Sequence, residues 1–193
     1  MIYTIFDLQS TWWVTGNTLR KRIIYHVHTK KLFRLRNWLY RTTDSELVSE
    51  RGRLIIANKS LSPSYLSFET ALMYHGIISQ YTSTVTLAHH RARHIQIDLI
   101  DQSPIIIQSH RLPQEMLYNP LGMEFTHEFT IAGPERAIAD TLHRSPHTYF
   151  DNIEDLDPLL LQRLADEYLT ESPRARAAIH TLLNHANEYS SLV

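Results

Sequence analysis

"KRIIYHVHTKKLFRLRNWLYR", residues 21–41, is the stretch whose reading decides the fold. With Arg20 just ahead of it, the segment holds eight Lys or Arg and not one Asp or Glu, in a 193-residue chain of formal net charge −1. Its first part has a helical period. At about 100° per residue, Leu19, Ile23, Ile24 and Val27 fall on an apolar arc, with Lys21, Arg22, Tyr25, His28 and Thr29 opposite. After Lys31 the period changes. "LFRL" and "WLYR", separated by Arg36-Asn37, suit two short strands of a hairpin.

Upstream, residues 4–13, "TIFDLQSTWW", read as a short helix capped by Thr4, with Asp7 in its first turn where the helix dipole favours an acid. "VTGN" breaks it, and Asn17 is the expected cap of the next helix. Of the adjacent Trp12 and Trp13, one is expected to pack on the second helix and the other to face outward. Helix, tight turn, basic amphipathic helix and basic hairpin, in that order, predict a winged helix-turn-helix over residues 1–44. In that arrangement Lys21, Arg22, Tyr25, His28 and Thr29 are the expected groove or base contacts. Arg20, Lys30, Lys31, Arg34, Arg36 and Arg41 are the expected phosphate contacts.

The rest of the chain has a different balance. Residues 1–60 carry eleven basic and four acidic side chains, residues 61–149 five and eight, and residues 150–193 three and eight. One end therefore suits a polyanion while the remainder suits another task. Residues 45–60 are expected to connect the two parts. In the second part, 61–193, "SPSYLSFETALMYHG" reads as a helix started near Pro63 and ended at Gly76. "STVTLAH", "HIQIDLI", "PIIIQSH" and "MEFTHEFTIA" read as strands, with Ile95, Ile97 and Leu99 on one side of theirs. "GPERAIADTLH" is a helix opened by Pro134, with Arg136 and Asp140 at ion-pair spacing. Two more helices are expected in the acidic tail. The predicted class is α+β, an N-terminal reader followed by a sheet packed by helices.

Three segments resemble a known family. "RIIYHVHTKKLFRLRNWLY" is similar to the wing region of AbiEi-type antitoxins, and "PSYLSFETALMYHGI" and "FTIAGPERAIADTL" resemble two further motifs of that family. The resemblance implies the antitoxin of a type IV toxin–antitoxin, or abortive-infection, pair. Its N-terminal part represses the pair's own promoter by binding double-stranded DNA, and its C-terminal part counters a nucleotidyltransferase-like toxin. Where the family's wing has Gly before its Leu-Tyr, this chain has Trp38. Either Asn37 takes the left-handed position of the turn or Trp38 is itself a contact.

Other functions find less support in the same sequence. The sequence has no phosphate-binding glycine loop, and no Lys follows Lys59, as a nuclease core would want. No catalytic residue, cofactor or metal site is expected. His89, His90 and His94 in "HHRARH" are interrupted by Arg91 and Arg93, which oppose a cation, so a metal-dependent hydrolase ranks last. An RNA- or protein-binding regulatory module ranks second. Glu135, Arg136 and Asp140 are read as structural rather than as an acid–base set, His75 as a satisfied core histidine, and Asp98 with Asp101 as turn chemistry rather than a metal pair. Cysteine is absent, which fits a reducing compartment. The apolar runs are too short to cross a bilayer and the start lacks a signal-peptide pattern, so a soluble cytoplasmic protein is expected. One reader of this size buries little DNA surface, and tight binding is expected to need two copies on repeated half-sites, touching or not.

Overall fold

The computed structural model describes residues 1–42, 49–99 and 102–190. The fold is mixed α and β, with a small three-stranded sheet and a larger six-stranded one.

The chain opens with β1 (Ile2–Thr4) and α1 (Ile5–Trp12). Thr4 and Asp7 form a reciprocal cap, each side chain binding the other's backbone N–H at 3.2 and 2.7 Å. α2 (Gly16–His28) follows, then β2 (Leu32–Arg36) and β3 (Leu39–Thr42) as a hairpin, with β1 added antiparallel to β3. The helix–turn–helix–hairpin order read from the sequence is present. Leu8 of α1, Leu19 and Ile23 of α2, and Leu32 and Tyr40 of the hairpin close a small core between helices and sheet.

The other face of this sheet is covered too. Leu39 belongs to the main core, with Ile2 and Leu35 packed against it. The helix α3 (Glu50–Ser60) spans most of the expected connector and buries Ile56 and Ala57 in that core. Positions 45–48 of the expected linker, and 43 and 44 at the end of the expected reader, lie outside the described residues. Lys59 of α3 reaches Asp7 at 2.9 Å and the carbonyl of Ile2 at 3.2 Å, which ties α1 to the rest of the molecule.

The large sheet has the order β6-β7-β5-β4-β9-β8, from β4 (Ser64–Leu66), β5 (Thr84–His89), β6 (Arg93–Leu99), β7 (Gln102–Arg111), β8 (Met123–Phe125) and β9 (Thr130–Ala132). Ile95, Ile97 and Leu99 are buried as their alternation requires. Helices α4 (Glu69–Tyr74), α5 (Gln114–Tyr118), α6 (Pro134–Arg144), α7 (Pro158–Arg163) and α8 (Pro173–Ser190) complete the fold, α7 running on into a wide turn at Leu164–Tyr168.

One expected helix is corrected. Residues 64–66 are not its first turn but a strand, paired antiparallel with β5 and parallel with β9. Long-range pairing overrides the local pattern there, and the helix begins only at Glu69.

Candidate nucleic-acid interface

The side of α2 that faces away from Leu19 and Ile23 is open to solvent. Lys21, Ile24, Tyr25 and His28 lie within an arc of about 100° on it, and all four are exposed. Arg20, Lys30 and Lys31 are exposed at its flank and C-terminal end. Among the described residues, none of the expected cation contacts forms an ion pair. Unpaired Lys and Arg on one convex helix face retain their full attraction for a polyanion.

Some of the expected contacts are partly engaged already, among them Arg34, which donates to the Asn37 side chain. Arg22 lies 5.1 Å from the Trp12 ring, and Trp12 stacks on His26 at 4.9 Å. Burial, then Lys31 and Arg22 nearby, hold His26 below the usual histidine range, as suits a ring covered by an aromatic. Thr29 donates its hydroxyl to the Tyr25 carbonyl at 2.9 Å, which closes the helix end. Trp12 is thus the tryptophan packed on the second helix and Trp13, 92% exposed, the outward one.

The hairpin divides its arginines between two faces. Cross-strand partners share a face. Arg34 pairs with Tyr40, whose side chain enters the small core, so Arg34 sits on the α2 side and is exposed. The register then shifts. Arg36 pairs with Leu39, and Arg41 with Phe33, over whose ring it lies at 5.5 Å. Leu39 enters the main core, so Arg36 and Arg41 occupy the face turned toward the larger sheet. Both are half-buried, and each has one guanidinium nitrogen that is buried without a hydrogen-bond partner among the described residues. They do not share the α2 surface. For Arg36 the irregularity between Arg34 and Arg36 is the cause, because a one-residue shift turns the later side chain to the other face; Arg41 is there by plain alternation, next to Tyr40 in its strand.

Ile24 was missed as a surface residue. Its apolar character placed it with the core, yet five residues separate it from Leu19, a rotation of about 140°, and it is 58% exposed. Val27 is exposed as well. At the turn, the first of the two expected arrangements is corrected. Trp38, not Asn37, has the left-handed backbone, with φ +73°.

The remaining clusters have structural explanations. Arg136 uses all five of its N–H donors: to Asp140 at 3.2 Å, to the carbonyls of Asn119, Leu121 and Met116 at 3.1, 2.6 and 2.7 Å, and to the Tyr65 hydroxyl at 2.9 Å. Asp140 also accepts from Tyr65 at 2.9 Å, Ser67 at 2.6 Å and Tyr168. Burial, then the Asp140 charge, push the Tyr65 and Tyr168 hydroxyls up. Burial opposes the Arg136 charge, but Asp140 beside it more than compensates and raises its pKa. None of this group lines the cavity beside α3 and α4. Glu135 accepts from the Asp157 backbone, and His75 bonds the Ala132 carbonyl at 2.9 Å. His89 is buried and bonded to the Arg91 backbone. Among the described residues, no three His, Asp or Glu are placed to hold a metal; Asp101 lies outside them. Nor is any described helix long and apolar enough to cross a membrane. An open cavity of 510 Å³ beside α3 and α4 is rimmed by Tyr74 and Tyr81. Its one arginine, Arg51, is bound to Glu128 at 2.6 Å.

No protein-family model matches the chain. No curated protein matches it either. Among solved structures, it is similar to the crystal structure of JHP933 from Helicobacter pylori, with a TM-score of 0.36 and 15% identity over 64% of this chain and 70% of that one. So distant a likeness says nothing about activity.

Proposed function

We propose that residues 1–42 form a winged helix-turn-helix that binds double-stranded DNA, and that the protein represses transcription, its own promoter being the expected target. The observation that carries this reading is the solvent side of α2. Lys21, Tyr25 and His28 stand there with Arg20, Lys30, Lys31 and Arg34 around them, none of these cations ion-paired among the described residues and with no acid between Arg20 and Arg41. A helix of thirteen residues is about 20 Å long and fits a major groove. Lys21, Tyr25 and His28 are the groove contacts, with Arg22 added when its guanidinium leaves Trp12. Arg20, Lys30, Lys31 and Arg34 hold phosphates. Arg36 and Arg41 are assigned no phosphate.

The larger part is proposed as the antitoxin half, facing a nucleotidyltransferase-like toxin. This rests on the AbiEi-like segments around residues 63–77 and 129–142. Here the role of the second segment is clear in physical terms: Arg136 and Asp140 hold α5, α6 and β4 together, so the motif maintains the fold on which a partner surface is built.

A salt titration of duplex binding tests the DNA reading. Four or five neutralised phosphates give a slope of log affinity against log salt of roughly −4. A slope near zero, or binding that survives neutral replacement of Lys21 and Arg34 together, sinks it. Co-expression with the neighbouring gene tests the antitoxin half. Growth arrest by that gene alone, relieved by this chain, is the expected result.

A further inference from the structure

The turn that joins β2 to β3 has an unusual occupant. Arg36 pairs with Leu39, so Asn37 and Trp38 form the whole loop, and its second position is left-handed at Trp38. Glycine or asparagine adopts that conformation at little cost, whereas a bulky side chain is strained in it. Asn37, the residue suited to it, sits one place earlier, where φ is not positive. Exchanging the two residues would remove the strain.

Packing within the chain does not recover the cost, because Trp38 is 64% exposed. Its backbone is nevertheless fixed. The Trp38 carbonyl accepts from the Ile5 N–H at 2.9 Å, and Arg34 donates to the Asn37 side chain. The indole is therefore a large apolar plate held outward by a braced turn. Strain kept at an exposed position is the pattern of a contact site.

Its location points to the occupant. The tight turn after α2, closed by the Lys31 N–H on the His26 carbonyl, sends β2 back along the helix. Five strand residues cover about 16 Å, and so the loop ends near the level of the first turns of α2. Exposed Arg34 lies beside it on the α2 side, and no acid occurs in the segment.

We propose that Trp38 is a wedge that presses its indole against a base step in the minor groove next to the major groove occupied by α2, bending the duplex there. This rests on the DNA-binding reading of α2. Apolar wedges open base steps and kink DNA, most cheaply at the flexible TA and CA/TG steps. The wedge thus contributes sequence preference without hydrogen bonds to bases. It carries no charge, so it adds nothing to the salt dependence.

The test uses the full chain and a labelled 40-base-pair duplex from immediately upstream of its own gene, with end-to-end energy transfer reporting bending. Trp38→Gly is expected to weaken binding about tenfold and to abolish the bend, with the salt slope unchanged. It should also raise the melting temperature by about 2–4 °C, because the strain is relieved. Trp38→Phe keeps an aromatic plate and is expected to stay within about threefold of the parent. Lys21→Ala is the comparator for α2. Trp38→Gly binding within twofold of the parent, while Lys21→Ala binds poorly, overturns the wedge and leaves the DNA reading intact. Unchanged affinity together with altered self-association of Trp38→Gly in sedimentation also overturns it, assigning the indole to a protein contact. No saturable duplex binding by the parent chain overturns both.

Discussion

Replacing Asp140 by Ala would show whether the polar cluster in the main core is the structural brace described above. Asp140 and Arg136 are both fully buried. The substitution removes the acceptor of four hydrogen bonds, from Arg136, Tyr65, Ser67 and Tyr168. Arg136 keeps its three carbonyls and the Tyr65 hydroxyl but loses its only counter-charge among the described residues. Removing one partner of a buried pair costs about 3–5 kcal/mol, and stranding a buried hydroxyl costs about 1–3 kcal/mol where it finds no new acceptor. A loss of about 4–5 kcal/mol is expected, a drop of roughly 10–15 °C in melting temperature for a chain of this size. Asp140→Asn keeps the shape and one acceptor, and should lose about half as much. Urea unfolding of both variants, with Arg136→Met and the double variant Arg136→Met/Asp140→Ala, gives the pair's coupling, expected at about 2 kcal/mol or more. DNA binding at a temperature where each variant is folded should be unchanged. Stability of Asp140→Ala within about 1 kcal/mol of the parent would refute the reasoning, and lost function at that stability would point to an active-site role instead.

Arg34→Ala should weaken duplex binding for all sequences and reduce the salt slope by about 1, whereas Arg41→Ala, on the far face of the sheet, should leave the slope unchanged; equal slopes would place the interface elsewhere. Ile24→Ser should cost no more than about 0.5 kcal/mol in thermal unfolding, while Ile23→Ala one position earlier should cost about 2–4 kcal/mol, and the reverse order would mean that α2 is rotated. Asp7→Ala removes the α1 cap and the Lys59 contact together, and should lower stability by about 1–2 kcal/mol in a urea melt. Burial first holds His110 and His143 below the usual histidine range, with Arg144 adding to the effect at His110. The folded state therefore disfavours their charged forms, so their contribution is complete above the unfolded pKa of about 6.5 and is lost as pH falls below it. Thermal melts at pH 7.5 and 5.5 should show the lower stability at 5.5.

The sequence by itself determined the local elements. The Thr4–Asp7 cap, the period of α2, the break after Lys31, the alternation of Ile95, Ile97 and Leu99, and the four-residue spacing of Arg136 and Asp140 are all short-range signals, and each survives in the structure. The concentration of cations between Arg20 and Arg41 was equally legible. Tertiary structure alone decided what covers each face. Ser64–Leu66 became a strand because β5 and β9, distant in sequence, offered it ladder partners. Asp140 acquired Tyr65, Ser67 and Tyr168 from 28 to 75 residues away. Ile24 was left in solvent, Arg36 was turned from the α2 side by an irregularity of the hairpin, and the face on which Arg41 lies was covered by the larger part of the molecule. Periodicity tells which side chains point together, but the neighbour that buries or exposes them comes from contacts remote along the chain, and these follow from the packing of the whole.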